Sequence, residues 1–328
     1  MITRRQFIRY SASAAGALVA SQAIHLPDAA AAQAACRWGA FVVPGPDPLD
    51  PLATTRDFET EIGRRLGMTR HYLRLDFRPI PSLAMQQSAN GHRVPFVDWR
   101  PQKQPPDNGF IRWGDIANGL HDSQIDQVGT SLASWNKTAF FTFNHEPEND
   151  AVHCGTASEY KAAYTRIKQR FAVAGVTKLK YVCTLVQGTF KGKNGGPDTW
   201  FPNGAQYVGA DGYNRSKCSG GWKTFETLFK EAHDYAVLRG RNMVIEEFGC
   251  VENASPCTDS TTTETKANWF PQAVATIKGW PEVKAVIYTN VLASYRTFHD
   301  NIDFRIDSST AARNAYIAAG HDAYFNAS

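Results

Sequence analysis

Two short segments place carboxylates where acid–base or nucleophilic chemistry could be done. The first, Asn144-His145-Glu146-Pro147-Glu148-Asn149-Asp150, follows the apolar run Thr138–Phe143. The second, Glu246-Glu247-Phe248-Gly249, follows Asn242–Ile245. A third polar cluster, Asp211-Gly212-Tyr213-Asn214, also closes an apolar run. Two carboxyls facing each other across a cleft can cleave a glycosidic bond. One attacks the anomeric carbon, while the other protonates the leaving oxygen and then activates water. Retention needs them about 5–5.5 Å apart and inversion about 6.5–9.5 Å. Glu146 and Glu247 are the expected pair, and the division of work requires a raised pKa at the acid/base and an ionised nucleophile.

The elements that must hold these residues alternate along the chain. Short apolar, β-branched or aromatic runs read as buried strands near Trp38–Val43, Tyr72–Asp76, Val94–Asp98, Ala139–Asn144, Leu179–Leu185, Tyr207–Tyr213, Met243–Phe248 and Val283–Thr289. Helical spacing lies between most of them, over Thr55–Leu66, Ser123–Trp135, Ser158–Ala174, Trp222–Leu238 and Thr263–Ile277. Thr156 or Ser158 is placed to cap the third of these. The second helix, near Ile80–Gln87, is weakly marked. Gln187–Ala205 is rich in Gly, Asn and Pro and reads as a long loop. Eight βα repeats predict an α/β fold, a single (β/α)8 TIM barrel over residues 36–328. No Gly-x-Gly-x-x-Gly turn follows the first strand, which disfavours a dinucleotide fold. Barrel sites lie at the C-terminal strand ends, where all three polar clusters fall. Glu146 and Glu247 are 101 residues apart, matching three repeats of about 34 residues, from strand four to strand seven.

These segments resemble a retaining glycoside hydrolase of the barrel superfamily whose catalytic carboxylates stand on strands four and seven. Within it they are most similar to glycoside hydrolase family 26, best known for endo-β-1,4-mannanases. His145 directly before Glu146, the Glu247-Phe248-Gly249 strand end, and Tyr213 in Asp211-Gly212-Tyr213-Asn214 match that family's pattern. The weaker similarity runs from Gly39 to about Ala318, including Gly91–Trp99 and Ala285–Asn290. The resemblance implies double displacement with Glu146 as acid/base and Glu247 as nucleophile, on a β-linked polysaccharide, most closely a β-1,4-mannan, with no cofactor. The chain departs from the family's mannanases just after the acid/base. Pro147-Glu148-Asn149-Asp150 stands where they carry a Gly and tryptophans, which opens the substrate to β-1,3-xylan, mixed-linkage glucan or a wall glycan.

Each choice has a rival. Glu148 could replace Glu146 if the strand ran two residues further. Glu246 competes with Glu247, but neighbouring strand residues point to opposite faces, so only one should face the barrel interior. On that rule Glu246 points toward the helices and needs a buried partner. The expected substrate-binding set is His145, Tyr213, Trp99, Asn144, Asp211 and Asn214. Trp99 is the aromatic platform for a sugar face, ahead of Trp200, Trp222 and Tyr288. Asp76 and Arg100 are further cleft candidates. His145, Glu146, Glu148, Asp150 and His153 lack His-Glu-x-x-His spacing, so no metal is expected. No Gly-x-Ser-x-Gly elbow is present, which argues against a serine esterase. The remaining alternative is a non-catalytic carbohydrate-binding barrel.

The chain has 328 residues, 43% of them hydrophobic and 20% charged, with a formal net charge of +4. Half of that excess lies in residues 1–35, so the remainder is nearly neutral and shows no electrostatic footprint for nucleic acid or a membrane surface. Residues 1–35 read as an export signal. Arg4-Arg5-Gln6-Phe7-Ile8 resembles a twin-arginine motif, followed by a short apolar stretch and an alanine run. A secreted bacterial protein, monomeric and not inserted in the membrane, is the expectation. Six cysteines in an exported chain suggest disulfides, with Cys250–Cys257 the first pair and Cys154–Cys218 the second.

Overall fold

A computed structural model of the protein describes residues 36–76, 80–215, 221–252, 264–294 and 301–325. The expected signal segment, Cys218 and Cys257 lie outside them. Eight parallel strands close into a barrel in chain order. They are β1 (Arg37–Val42), β2 (Met68–Arg74), β3 (Val94–Arg100), β4 (Ala139–Phe143), β5 (Leu179–Val186), β6 (Tyr207–Asn214), β7 (Asn242–Cys250) and β8 (Val283–Asn290). β8 returns to β1 over six residue pairs, from Arg37 opposite Ala285 to Val42 opposite Asn290. The expected single TIM barrel is therefore the observed architecture. Among the described residues, no helix is long and apolar enough to cross a membrane.

Period-two alternation sorts each strand into two faces. Outward residues such as Trp38, Trp99, Phe141, Phe143, Leu185, Ala210, Ile245, Phe248 and Tyr288 pack on the helices in one large cluster. Inward residues change character along the barrel axis. The N-terminal end is plugged by Met68, Phe96, Phe140, Val182, Val244, Ala285 and Ile287. One step on, β2 to β7 turn polar, with Arg70, Asp98, Thr142, Thr184, Asp211 and Glu246 all buried. The apolar floor anchors the strands; the polar layer above supports the mouth.

The helices begin where their caps require. Helix Ala157–Val173 opens on a capping box in which Thr156 and Glu159 satisfy each other's backbone amides. Its buried face, Tyr160, Ala163, Tyr164, Ile167 and Phe171, covers the barrel wall. The expected loop after β5 contains two short helices, Gln187–Phe190 and Pro197–Trp200.

The second strand is displaced from its expected position. It spans Met68–Arg74 rather than Tyr72–Asp76. Inward Arg70, between Thr69 and His71, breaks the apolar run ahead of Tyr72 because this stretch enters the polar layer. Asp76 lies beyond the strand and accepts the Gln104 amide at 2.8 and 2.9 Å.

Candidate active site

The mouth is shaped first by a bulge in β7. Ala210 on β6 pairs with Ile245, and Asp211 pairs with Glu247, skipping Glu246. On the other side Ile245 pairs with Val286 and Phe248 with Tyr288, so Glu246 and Glu247 together span one residue of β8. An extra residue in a strand suspends alternation locally. The expectation that Glu246 faces the helices is therefore wrong: both carboxylates turn toward Arg70. Arg70 Nη2 lies 2.7 Å from Glu246 Oε1, and Nη1 pairs with Glu247 Oε1.

Glu247 is surrounded by donors. Tyr72 Oη donates to its Oε1 at 2.6 Å, and Tyr213 Oη donates to its Oε2. His145 Nε2 stands 3.9 Å from Oε1. Burial alone would raise this carboxyl, but Arg70, His145 and the two tyrosines outweigh it and bring its pKa down to about 2. Asp98, at the end of β3, holds the other nitrogen of His145 as an ion pair. Burial disfavours the charged imidazole, yet Asp98 prevails and raises His145 to about 10.

Glu146 stands opposite, on a tight turn after β4. Asn144 and Glu146 both adopt left-handed backbone, at φ 51° and 49°, which is unfavourable by about 1–2 kcal/mol per residue. Side chains hold the turn in place. Asn144 Oδ1 accepts from Trp113 Nε1 at 2.9 Å, and its Nδ2 donates to Asp150 Oδ2 at 2.8 Å. Arg100 clamps Asp150 through Nε at 3.1 Å and Nη2 at 2.7 Å. The Glu146 amide donates to Thr184 O on β5 at 3.0 Å.

Pro147-Glu148-Asn149-Asp150 thus has local work. Pro147 starts helix Pro147–Cys154, where a missing amide is harmless. Glu148 turns away to accept the Val186 amide at 2.8 Å and the Thr189 hydroxyl at 2.7 Å. Asn149 Nδ2 donates to Glu146 Oε2 at 2.9 Å. Glu146 is raised above the ordinary carboxylate range, chiefly by loss of water and also by the charge on Glu247.

Asp211 is buried with neither oxygen hydrogen-bonded. Burial and the neighbouring Glu247 and Glu246 hold its proton far more tightly than usual. One ligand atom from each of His145, Glu146 and Asp211 lies within 4.8 Å of the others. Among the described residues, this is the grouping that could hold a cation.

Beside the mouth is a cleft of about 360 Å³ whose lining includes Phe41, Pro44, Pro51, Arg70, Tyr72 and Leu83. Tyr72 is 42% exposed and forms the boundary between this cleft and Glu247.

Of the expected site residues, Glu146, Glu247, His145, Tyr213 and Asp211 converge at the mouth. Trp99 does not. Asp98 takes the inward place on β3, so Trp99 points outward, fully buried, stacked on Phe171 with its Nε1 on Arg74 O at 3.1 Å. Asn144 and Asn214 are buried ties. Asn214 donates to Cys250 Sγ at 3.3 Å and accepts the Lys223 amide at 3.1 Å. Tyr288 is likewise turned to the helices, with its hydroxyl on Phe304 O at 2.6 Å. Trp200 is buried against Trp113. The thiols of Cys154 and Cys250 are free, and the partners expected for them lie outside the described residues.

Sequence reasoning missed Arg70, Tyr72, Asp98 and Thr184. The available signal was a polar residue at every second place in strands otherwise rich in apolar residues.

No family model matches the sequence, and no curated protein matches it. Solved structures do. The catalytic domain of the family 26 endo-β-1,4-mannanase of Bacillus sp. JAMB-750 superposes with a TM-score of 0.58 at 14% identity, over 88% of this chain and 86% of that one. A Cellulomonas fimi endo-β-1,4-mannanase double mutant gives 0.56 at 15%, over 88% and 71%. A family 26 β-mannanase from Bacteroides ovatus gives 0.54 at 12%, over 90% of each chain. This chain has the barrel fold seen in the mannanases of glycoside hydrolase family 26.

Proposed function

We propose that the protein is a retaining glycoside hydrolase acting on a β-linked polysaccharide, with Glu247 as nucleophile and Glu146 as acid/base. One observation carries this reading: of two glutamates at the ends of β4 and β7, Glu247 receives Arg70, Tyr72 and Tyr213 while Glu146 receives only the Asn149 amide, which pushes their proton affinities in opposite directions. An ionised, donor-ringed carboxylate suits attack on the anomeric carbon, and a carboxyl that holds its proton more tightly than usual suits delivery of that proton to the leaving oxygen. Glu247 forms a bond to that carbon as the glycosidic C–O bond breaks, and Glu146 gives its proton to the departing oxygen. In the second step Glu146 takes a proton from water, whose oxygen displaces Glu247. Tyr72 and Tyr213 donate to Glu247 and fix its orientation. His145, charged through Asp98, stabilises the carboxylate.

A β-1,4-mannan is the first substrate to test, on the strength of the fold likeness. Tyr72, rather than Trp99, is the aromatic surface offered to a sugar. Residues 1–35 serve as a twin-arginine export signal, and 36–328 are the secreted catalytic domain. The test is release of reducing ends by purified protein from mannan, galactomannan, mixed-linkage glucan, β-1,3-xylan and wall glycans. Hydrolysis of one of these that is abolished in Glu146→Gln and in Glu247→Gln supports the reading. Sugar binding without hydrolysis would mark a carbohydrate-binding barrel instead.

The grouping of His145, Glu146 and Asp211 favours a second reading, metal-assisted hydrolysis. Activity that survives exhaustive chelation rules it out.

A further inference from the structure

Glu246 is a buried acid with no part in the steps above. Its side chain is fully enclosed; burial pushes its carboxyl up to about 7 against the pull of Arg70, and a group so buried is kept only with partners. It has two. Oε1 pairs with Arg70 Nη2 at 2.7 Å, while the other arm of the same guanidinium lies on Glu247. Oε2 accepts the Thr184 hydroxyl. The Thr184 carbonyl in turn accepts the Glu146 amide at 3.0 Å. Space for that hydroxyl depends on Gly209, where a Cβ would collide with Thr184 Oγ1. Glu246 is thus one residue removed from each of the two glutamates at the mouth.

We propose that Glu246 is a positioning residue that aims the Arg70 guanidinium so that one arm rests on Glu247. The inference depends on the reading of Glu247 as nucleophile. A guanidinium is planar, and gripping both arms fixes its plane as well as its place. Held by Glu247 alone, Arg70 could rotate over the Tyr72 ring, which lies 4.3 Å from its Cζ. It could also turn toward Asp211, the uncommitted acid nearby.

The isosteric change Glu246→Gln makes the argument testable. The amide turns its oxygen to Arg70 and its NH2 to Thr184 Oγ1, since a hydroxyl accepts as well as donates and a guanidinium only donates. A neutral oxygen grips that arm less tightly than a carboxylate, so the guanidinium plane is freed to turn off Glu247. The groups facing Glu247 are Arg70 and Tyr72 from β2, His145 and Glu146 after β4, Asp211 and Tyr213 from β6, and Glu246 beside it. The substitution alters the Arg70 and Thr184 contacts of Glu246 directly and removes a negative charge beside Glu247, which by itself lowers the Glu247 titration, so a rise reports a displaced Arg70.

The experiment uses full-length protein and two readouts. The first is carboxyl 13C NMR of Glu247 in the unsubstituted protein and in Glu246→Gln. The second is kinetics on the glycan that the unsubstituted protein hydrolyses. The Glu247 titration should rise by about one pH unit or more. kcat should fall about a hundredfold, as expected for misplacement on the scale of an ångström, with KM changed less than about threefold. Thr184→Val keeps both charges and loses only the aiming hydrogen bond, so it should show the same pattern more weakly. It also serves if Glu246→Gln fails to fold. A Glu247 titration that stays put or falls overturns the proposal, because Glu246 then merely competes for Arg70. A kcat within about twofold of normal overturns it as well. If no glycan is hydrolysed, the proposed activity fails, while the NMR titration still decides whether Glu246 aims Arg70.

Discussion

The ends of β4 and β7 present the same residue type in opposite electrostatic settings. Glu247 receives Arg70, Tyr72 and Tyr213 directly and has charged His145 nearby. Glu146 receives one neutral amide from Asn149. Both leave water, which favours the protonated form. At β7 the donors overcome that preference, and at β4 they do not. The backbone differs as well. β7 gains its second inward carboxylate through a bulge, whereas β4 ends in a turn with two left-handed residues clamped by Trp113, Asp150 and Arg100. Neighbours, not residue type, assign the proton.

The largest effect should come from removing the charge at β7. Glu247→Gln is expected to lower kcat by about 10⁴-fold or more on every glycoside the protein cleaves. Glu146→Gln should cost about 10²–10⁴-fold on polysaccharide. It should cost far less in the first step on an aryl glycoside whose leaving group needs no proton. Equal losses on both substrates would erase the distinction between the two ends.

The pH profile separates them further. Glu247 must be ionised, so activity is lost only as pH falls toward about 2. Glu146 must be protonated, so activity is lost as pH rises through its raised pKa. Tyr213→Phe removes a donor from ionised Glu247, which should move the acid limb upward and lower kcat by roughly tenfold. Asn149→Ala removes the amide that favours ionised Glu146, so the alkaline limb should move upward with little loss at the optimum. The smallest kinetic effect belongs to Trp99→Phe. It should leave KM unchanged while lowering stability by about 1–3 kcal/mol, measured by urea unfolding.

Much of this arrangement was legible in the sequence. Apolar runs near 34-residue spacing marked the barrel, and seven strands fall within two residues of their expected bounds. The failures share a cause. Alternation correctly predicts that one of two neighbours faces inward, but the neighbour can be the other one, as at Asp98 and Trp99. It fails outright at a bulge, as at Glu246 and Glu247, because pairing register is a property of three strands together. β2 was misplaced because Thr69, Arg70 and His71, ahead of Tyr72, replaced the apolar signal that locates a buried strand. The tetrad Pro147–Asp150 read only as a departure, since its role lies in contacts to Val186, Thr189, Asn144 and Arg100 from other segments.

The most direct test of the account is covalent trapping. The full-length protein is incubated with a 2-deoxy-2-fluoro-β-mannobiosyl fluoride, or the matching fluorosugar of whichever glycan it hydrolyses, and analysed by intact mass and peptide mapping. The account predicts a mass gain of one fluorosugar, carried on Glu247. A label on Glu146 or Glu246, or turnover with inverted anomeric configuration and no label, would contradict it.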